Sequence, residues 1–136
     1  MALLDTSFLI DLMKEAKRRR PGSAAQKLDE LIRDGENLRI AIFTVGELFV
    51  GVAKGSRPIQ EREAVEKCLT LFDILSFERP AAEIFGAIVG DLERRGQSIS
   101  DMDALIASVA MENGERLVTR NTRHFLRING LMVESY

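Results

Sequence analysis

The amino-acid sequence predicts an α/β protein whose largely parallel sheet is covered by helices on both faces. Short apolar runs rich in β-forming residues alternate with longer segments of helical periodicity along the whole chain. This alternation is typical of parallel sheets, because each parallel connection needs a crossover helix. The 136 residues, 46% of them hydrophobic and 29% charged, fit one compact domain over residues 1–136.

The predicted strands are four to five in number and short. They cover residues 2–4, 39–43, 73–77, 116–119 and 131–134. The predicted helices lie between them, and several are bounded by a proline or a glycine. They cover residues 6–15, 23–33, 45–53, 59–70, 80–95 and 101–113.

Composition and charge exclude several classes of protein. The net charge of −2 excludes a highly basic protein that binds nucleic acid non-specifically through its overall charge. Basic residues nevertheless cluster in residues 14–20 and 120–127. The single Cys68 allows neither an internal disulfide nor a cysteine-based zinc site, which favours a reducing cytoplasm. The N-terminus lacks the basic region of a signal peptide, and no apolar run approaches the ~20 residues of a membrane span.

Two acidic residues stand close to the carboxyl ends of predicted strands, where parallel sheets place their functional sites. Asp5 directly follows the first strand, as an N-cap of the next helix or as a metal ligand. Glu47 follows Thr44 in a capping-box pattern, but it also lies beside the apolar helix face with Gly51 one turn further on. The small Gly51 leaves room for a ligand or another segment to approach the carboxylate.

The segment SISDMDALIASVAMENG carries two more acids, of which helix geometry favours Asp103. Ser100 and Asp103 form another capping box. At about 100° per residue, Asp103 shares a flank with Ala107, whereas Asp101 falls about 160° away on the opposite flank. The two acids therefore do not point into one pocket. Carboxylates that converge repel one another unless a cation is present, and oxygen ligands suit Mg²⁺ or Mn²⁺ better than Zn²⁺.

Four segments, in this order and spacing, resemble the PIN-domain family and specifically the VapC-type toxins of bacterial and archaeal toxin–antitoxin pairs. They are LLDTSFLIDL, FTVGELFVGV, ISDMDALIASVAMENG and RLVTRNTRHFLRINGLMVESY, and the resemblance extends over almost the whole chain. It implies a three-layer α/β/α sandwich and a metal-dependent endoribonuclease that forms no covalent intermediate.

The resemblance also assigns the catalytic residues. The family's acidic pocket maps onto Asp5, Glu47 and Asp103, with Asp5 and Asp103 as ligands of Mg²⁺. A fourth position that is often Asp in the family is Asn121 here, and a nearby position that is often acidic is His124. Because Asn121 adds no charge, one well-occupied metal site is expected rather than two.

The implied reaction is hydrolysis of single-stranded or loop RNA. Glu47, or Asp103 through water, is expected to orient a water for in-line attack on a phosphate that Mg²⁺ polarises. Arg120 and Arg123 are expected to hold flanking phosphates. Further side chains are expected to support the acids from outside the metal site: Thr6, Ser7, Thr119 and Asp101.

The sequence leaves other functions open. The same domain is compatible with an RNA-processing nuclease that has no antitoxin, or with a module that binds RNA or a protein and has lost turnover through Asn121. A phosphoacceptor signalling domain is disfavoured, because only Asp5 follows the first strand and the late strands bring Arg120 where such domains have lysine. The resemblance further implies a protein antitoxin as partner, and a homodimer through apolar residues of 23–70.

Overall fold

The computed structural model of the protein describes residues 1–136 and contains one five-stranded sheet. Its strands are β1 (Ala2–Leu4), β2 (Leu38–Ala41), β3 (Asp73–Leu75), β4 (Arg116–Val118) and β5 (Val133–Glu134). They lie in the order β3-β2-β1-β4-β5, and all four pairings are parallel. The strand order therefore reverses beside β1, and the crevice at such a switch point is where parallel sheets place their sites.

Seven helices cover both faces of the sheet. They are α1 (Thr6–Arg18), α2 (Ser23–Arg33), α3 (Ile42–Lys54), α4 (Pro58–Leu69), α5 (Arg79–Arg94), α6 (Asp101–Glu112) and α7 (Thr122–Phe125). The side chains of β1 alternate between the two faces, so Leu4 packs with α1–α4 and Leu3 packs with α5–α7. These two cores confirm the predicted three-layer α/β/α sandwich. No helix combines the length and the apolar character needed to cross a bilayer.

The structure corrects the predicted boundary between β2 and α3. The predicted strand continues to Phe43, but β2 ends at Ala41 and α3 begins at Ile42. The predicted capping box at Thr44 is wrong for the same reason: Thr44 lies inside the helix, and the N-cap is Ala41, which has no side-chain acceptor. A continuous apolar run carries no periodicity that separates strand from buried helix, so the sequence alone misplaces this junction.

The α1–α2 connection contains a cap that the sequence does not reveal. The Glu15 carboxylate, on α1, accepts hydrogen bonds from the backbone N–H groups of Gly22, Ala24 and Ala25 at 2.6–3.1 Å. It thereby satisfies N–H groups at the start of α2, and it carries the negative charge favoured there. A Cβ on Gly22 would lie 3.0 Å from the Glu15 carboxyl carbon, so the glycine makes room for this approach.

An ion-pair network joins the strands at the amino edge of the sheet, opposite the crevice. Glu36 contacts the Met1 amino group at 2.7 Å and Arg116 at 2.9 Å. Glu134 on β5 contacts both Arg116 and Lys27. The network thereby connects α2 and the N-terminus to β4 and β5, the last two strands along the chain.

Candidate active site

Asp5 leaves the central strand at the switch point and is 3% exposed. Its backbone N–H donates to Val118 O at 3.0 Å, which continues the β1–β4 pairing by one residue. Its carboxylate does not cap α1 as the N-cap interpretation predicted. Instead, Oδ2 accepts a hydrogen bond from the Thr119 hydroxyl at 2.7 Å and another from the Ser7 hydroxyl at 3.1 Å. Two residues predicted to support the acids, Ser7 and Thr119, therefore contact Asp5 directly.

Glu47 projects from the second turn of α3 toward the start of α1. Its Oε1 lies 2.5 Å from the Thr6 hydroxyl, which is also 3.0 Å from the buried Thr44 hydroxyl. A Cβ on Gly51 would meet no atom within 4 Å, as expected from the room predicted beside Glu47. Thr44, which sequence reasoning treated only as a cap, thus belongs to the side chains that fix Glu47 through Thr6.

Asp103 lies in the first turn of α6, and its backbone N–H donates to Ser100 Oγ at 3.1 Å, which confirms the predicted Ser100 cap. Its carboxylate lies 3.6 Å from His124 Nδ1 on α7. Ala107, on the same flank, is fully buried in the core, so the small residue serves helix packing rather than an open pocket. Asp101 is exposed and contacts none of the other three acids.

The carboxylates of Asp5, Glu47 and Asp103 form what we call the acidic pocket. Burial raises the pKa of Asp5; the hydrogen bond from Thr119 opposes this shift, and the charge of Asp103 adds to it. Burial also raises the pKa of Glu47, against the hydrogen bond from Thr6, and both other acids add to the increase. The charge of Asp103 therefore raises the pKa of both Asp5 and Glu47, whereas Asp101 is not among the causes of either shift.

The residues after β4 border the acidic pocket. Asn121 is the N-cap residue of α7, and its backbone N–H donates to the Thr119 hydroxyl at 3.0 Å. Because the same hydroxyl donates to Asp5, Thr119 links Asn121 to the acidic pocket. Its side chain is exposed and adds no charge. The backbone N–H of Arg120 donates to Ser7 Oγ at 3.3 Å, and its guanidinium contacts Asp11 at 2.5 Å. Arg123 is exposed and has no acidic partner within 4 Å.

Two neighbouring residues were missed by sequence reasoning. The Asp11 carboxylate accepts hydrogen bonds from Arg120 and from the Tyr136 hydroxyl at 2.6 Å. Asp11 lies one turn after Ser7 on α1, so helical spacing was a usable signal for it. Tyr136 reaches this place only through the path of the chain after β5, and no local pattern indicates that contact.

Comparisons with known proteins identify the family of the chain. Residues 2–131 match the family model described as PIN domain. The chain is 30% identical over 134 residues to the tRNA(fMet)-specific endonuclease VapC of Shigella flexneri, covering 98% of this chain and 96% of that protein. It is 29% identical to Ribonuclease VapC2 of Rickettsia felis, with the same coverage of both chains.

Solved structures show the same fold. The VapBC2 complex of Rickettsia felis bound to a promoter DNA fragment matches with a TM-score of 0.90 at 27% identity, over 99% of this chain and 98% of that chain. The DNA-bound VapBC complex of Salmonella typhimurium matches with a TM-score of 0.87 at 28% identity, over the same shares. The chain belongs to the PIN-domain family, among its VapC-type ribonucleases.

Proposed function

We propose that the protein is a Mg²⁺-dependent endoribonuclease that cleaves single-stranded or loop RNA and acts as the toxin of a toxin–antitoxin pair. The observation that carries this proposal is the acidic pocket: Asp5, Glu47 and Asp103 come from separate elements at the switch point of a parallel sheet, and the charge of Asp103 raises the pKa of both other acids. The VapC names of its relatives support the choice of RNA as substrate.

The donor set of the acidic pocket fits Mg²⁺ or Mn²⁺. Its ligands are carboxylate oxygens, and burial with mutual repulsion makes a cation favourable there. No three Asp, Glu, His or Cys side chains are arranged to hold one ion by themselves. Such an open site suits Mg²⁺, which retains several waters and is usually bound by one or two carboxylates and the substrate phosphate. Asp5 and Asp103 are the proposed ligands.

The roles of the remaining residues follow from their contacts. When bound, Mg²⁺ supplies Lewis acidity that stabilises negative charge developing on the scissile phosphate. Glu47 orients the attacking water; Thr6 holds its Oε1, and its raised pKa makes it a better proton acceptor than an ordinary carboxylate. Ser7 and Thr119 keep the Asp5 carboxylate in one orientation. Asn121 positions the scissile phosphate or the waters around the metal, and Arg123 contacts a flanking phosphate.

Conservative variants test this assignment with a single-stranded RNA substrate and added Mg²⁺. Asp5→Asn and Asp103→Asn each abolish cleavage, and EDTA abolishes it in the wild type. Asp101→Asn retains most of the activity, although it removes the same charge two residues away. If Asp101→Asn abolishes cleavage while Asp103→Asn retains it, the assignment of the acids is wrong.

An apolar cleft between α1, α3 and α4 is the place we propose for the antitoxin. Its volume is about 790 Å³, and Glu47 lies at its edge, so the cleft adjoins the acidic pocket. Apolar side chains line it: Ile10, Leu12, Met13, Leu48, Val52, Val65 and Leu71. Four cations also border it: Lys14, Lys17, Arg57 and Lys67. An apolar segment flanked by acidic residues is complementary to this combination, and protein antitoxins accompany the VapC chains of the matching VapBC complexes.

Expression in a bacterial host separates a toxin from a processing nuclease. We expect growth arrest that requires Asp5 and is relieved by co-expression of the neighbouring gene. Val52→Asp places a charge in the cleft and should prevent this relief while cleavage of RNA continues. Growth without arrest, together with cleavage in vitro, would favour the RNA-processing alternative.

We also propose a homodimer in the cytoplasm. Three large apolar side chains within residues 23–70, the segment proposed for the interface, are exposed: Ile32 at 54%, Val50 at 53% and Ile59 at 73%. Their burial against a second copy would remove this apolar surface from water. Size-exclusion chromatography with light scattering measures the mass directly, and a monomer at all concentrations would contradict this proposal.

A further inference from the structure

We propose that Asp11 is a positioning residue that holds the Arg120 guanidinium at the rim of the acidic pocket as a binding site for a backbone phosphate of the RNA. The inference rests on the proposed ribonuclease function and extends it to Asp11 and Tyr136. The Asp11 carboxylate is fixed through both oxygens: Oδ1 accepts from Arg120 Nη1 at 2.5 Å, and Oδ2 accepts from the Tyr136 hydroxyl at 2.6 Å.

Tyr136 makes this support rigid. Its ring packs edge-to-face against Phe8, with ring centroids 4.9 Å apart and an interplanar angle of 80°. Phe8 is fully buried in the core beside β1. Burial, together with the neighbouring Asp11, raises the pKa of Tyr136, so its hydroxyl keeps its proton and remains a donor. The orientation of the Asp11 carboxylate is therefore set by the core of the protein.

The position of Arg120 explains why such support is needed. Its backbone N–H donates to Ser7 Oγ at 3.3 Å, and the same hydroxyl donates to Asp5 at 3.1 Å. The guanidinium is nevertheless paired with Asp11, its only carboxylate partner within 4.0 Å, and not with the acidic pocket. Unneutralised carboxylates attract a nearby cation. Asp11 supplies a competing carboxylate that keeps the guanidinium outside the proposed metal site.

The free part of the guanidinium suits a phosphate. The Arg120 side chain is 53% exposed, and only Nη1 has a protein partner, so Nε and Nη2 remain as donors. A guanidinium with two adjacent N–H groups free matches the oxygens of a phosphate bidentately. An ion pair with a half-exposed arginine contributes little to stability. The hydrogen bonds to both oxygens of Asp11 are therefore better explained by the positioning of Arg120 than by a contribution to folding stability.

The experiment combines RNA binding with cleavage kinetics for Asp11→Asn, Arg120→Gln and the double variant. Binding is followed by the anisotropy of a short fluorescein-labelled single-stranded RNA at several salt concentrations, with Ca²⁺ in place of Mg²⁺ to suppress cleavage. Arg33→Gln is the matched control, because Arg33 is exposed and ends α2 close to Glu36, at the amino edge of the sheet opposite the crevice. Thermal unfolding of each variant separates an effect on RNA from an effect on folding.

We expect Arg120→Gln to weaken binding about tenfold, the magnitude of one charge-assisted contact. The slope of log K against log salt should become shallower by about 0.7, as for one phosphate contact on a single strand. KM should rise while kcat changes much less. Asp11→Asn keeps a partner for Tyr136 but releases the guanidinium, so it should act in the same direction and add nothing in the Arg120→Gln background. Asp11→Glu should recover part of the loss, and Arg33→Gln should bind like the wild type.

Each other outcome has a distinct meaning. If the wild type cleaves RNA while Asp11→Asn leaves affinity and salt slope unchanged, the positioning role is overturned and the ribonuclease function stands. An Asp11→Asn effect of equal size with and without Arg120 also overturns it, because Asp11 would then act independently. A wild type that neither binds nor cleaves the RNA overturns both proposals.

Discussion

Replacing Asp5 with Asn should stabilise the protein in the absence of a divalent cation, while it abolishes cleavage. The Asp5 carboxylate is buried, and both of its side-chain hydrogen bonds, from Thr119 and Ser7, go to the same oxygen, Oδ2. An asparagine whose carbonyl oxygen occupies that position keeps both bonds. Each weakens by about 1 kcal/mol on loss of the acceptor's charge, or about 2 kcal/mol together.

The free-energy cost of keeping the buried Asp5 carboxylate ionised is larger than this loss of hydrogen-bond strength. Burial and the charge of Asp103 raise the pKa of Asp5 in spite of its hydrogen bonds, so the surroundings disfavour the ionised form overall. With a raised pKa, the folded state binds the proton more tightly than the unfolded state. The free energy of unfolding therefore falls as pH rises from 3.8 through the folded-state pKa, and the loss is complete above it. At pH 7.5 the whole cost of ionisation is present, and removing it should stabilise the protein by about 0.5–2 kcal/mol net of the weakened hydrogen bonds.

The assay is thermal unfolding followed by circular dichroism at pH 7.5, first in EDTA and then in Mg²⁺. In EDTA we expect the Tm of Asp5→Asn to exceed that of the wild type by about 2–8 °C. Mg²⁺ at ten times its Kd should stabilise the wild type by about 1.4 kcal/mol and the variant much less. Asp29→Asn, which removes an exposed charge elsewhere, should change neither value. If Asp5→Asn lowers the Tm in EDTA as much as Thr119→Val does, Asp5 is a structural hydrogen-bond acceptor and the reasoning is refuted.

Three further predictions concern other parts of the molecule. Glu15→Ala removes the acceptor of three backbone N–H groups at the start of α2 and should lower the free energy of unfolding in urea by about 1–2 kcal/mol; Glu15→Gln should lose less. Lys27 lowers the pKa of Glu134, so this acid stabilises the fold above pH 4.5, and its contribution is lost as pH falls through the lowered pKa. The free energy of unfolding in urea should therefore vary less with pH over this range in Glu134→Gln than in the wild type. Thr6→Val removes the hydrogen bond that lowers the pKa of Glu47, so the acidic limb of the kcat/KM profile should move to higher pH and activity should fall about 10–100-fold; an unchanged limb would argue against Glu47 as the group that orients water.

The elements that the sequence places correctly are those with strong local signals. The break at Pro21 and Gly22 defines the start of α2 at Ser23, and Gly114 follows the end of α6 closely. The β2–α3 junction and the four-residue α7 were misplaced or missed, because neither has a cap or a periodic pattern of its own. Local propensity is a weak guide where strand and helix join without a polar residue between them.

The acids were selected from the sequence for a different reason, and their roles remain a prediction. Asp5 directly follows β1, Glu47 and Asp103 lie in the first two turns of α3 and α6, and the family resemblance selects the same three. Their supporting contacts are another matter. The Asp11 carboxylate depends on residues 109 and 125 positions away, and the path that brings them together is set by tertiary packing.

The order in which the chain is synthesised determines when the acidic pocket can form. All residues that line the apolar cleft precede residue 72, whereas Asp103 and Thr119 follow it. The hydroxyl that fixes Asp5 is made 114 residues after it, and β1 cannot acquire its β4 neighbour until then. The residues of the proposed partner surface are therefore synthesised before those that complete the acidic pocket. Under the proposed function, the antitoxin-binding segment leaves the ribosome before the nuclease site exists.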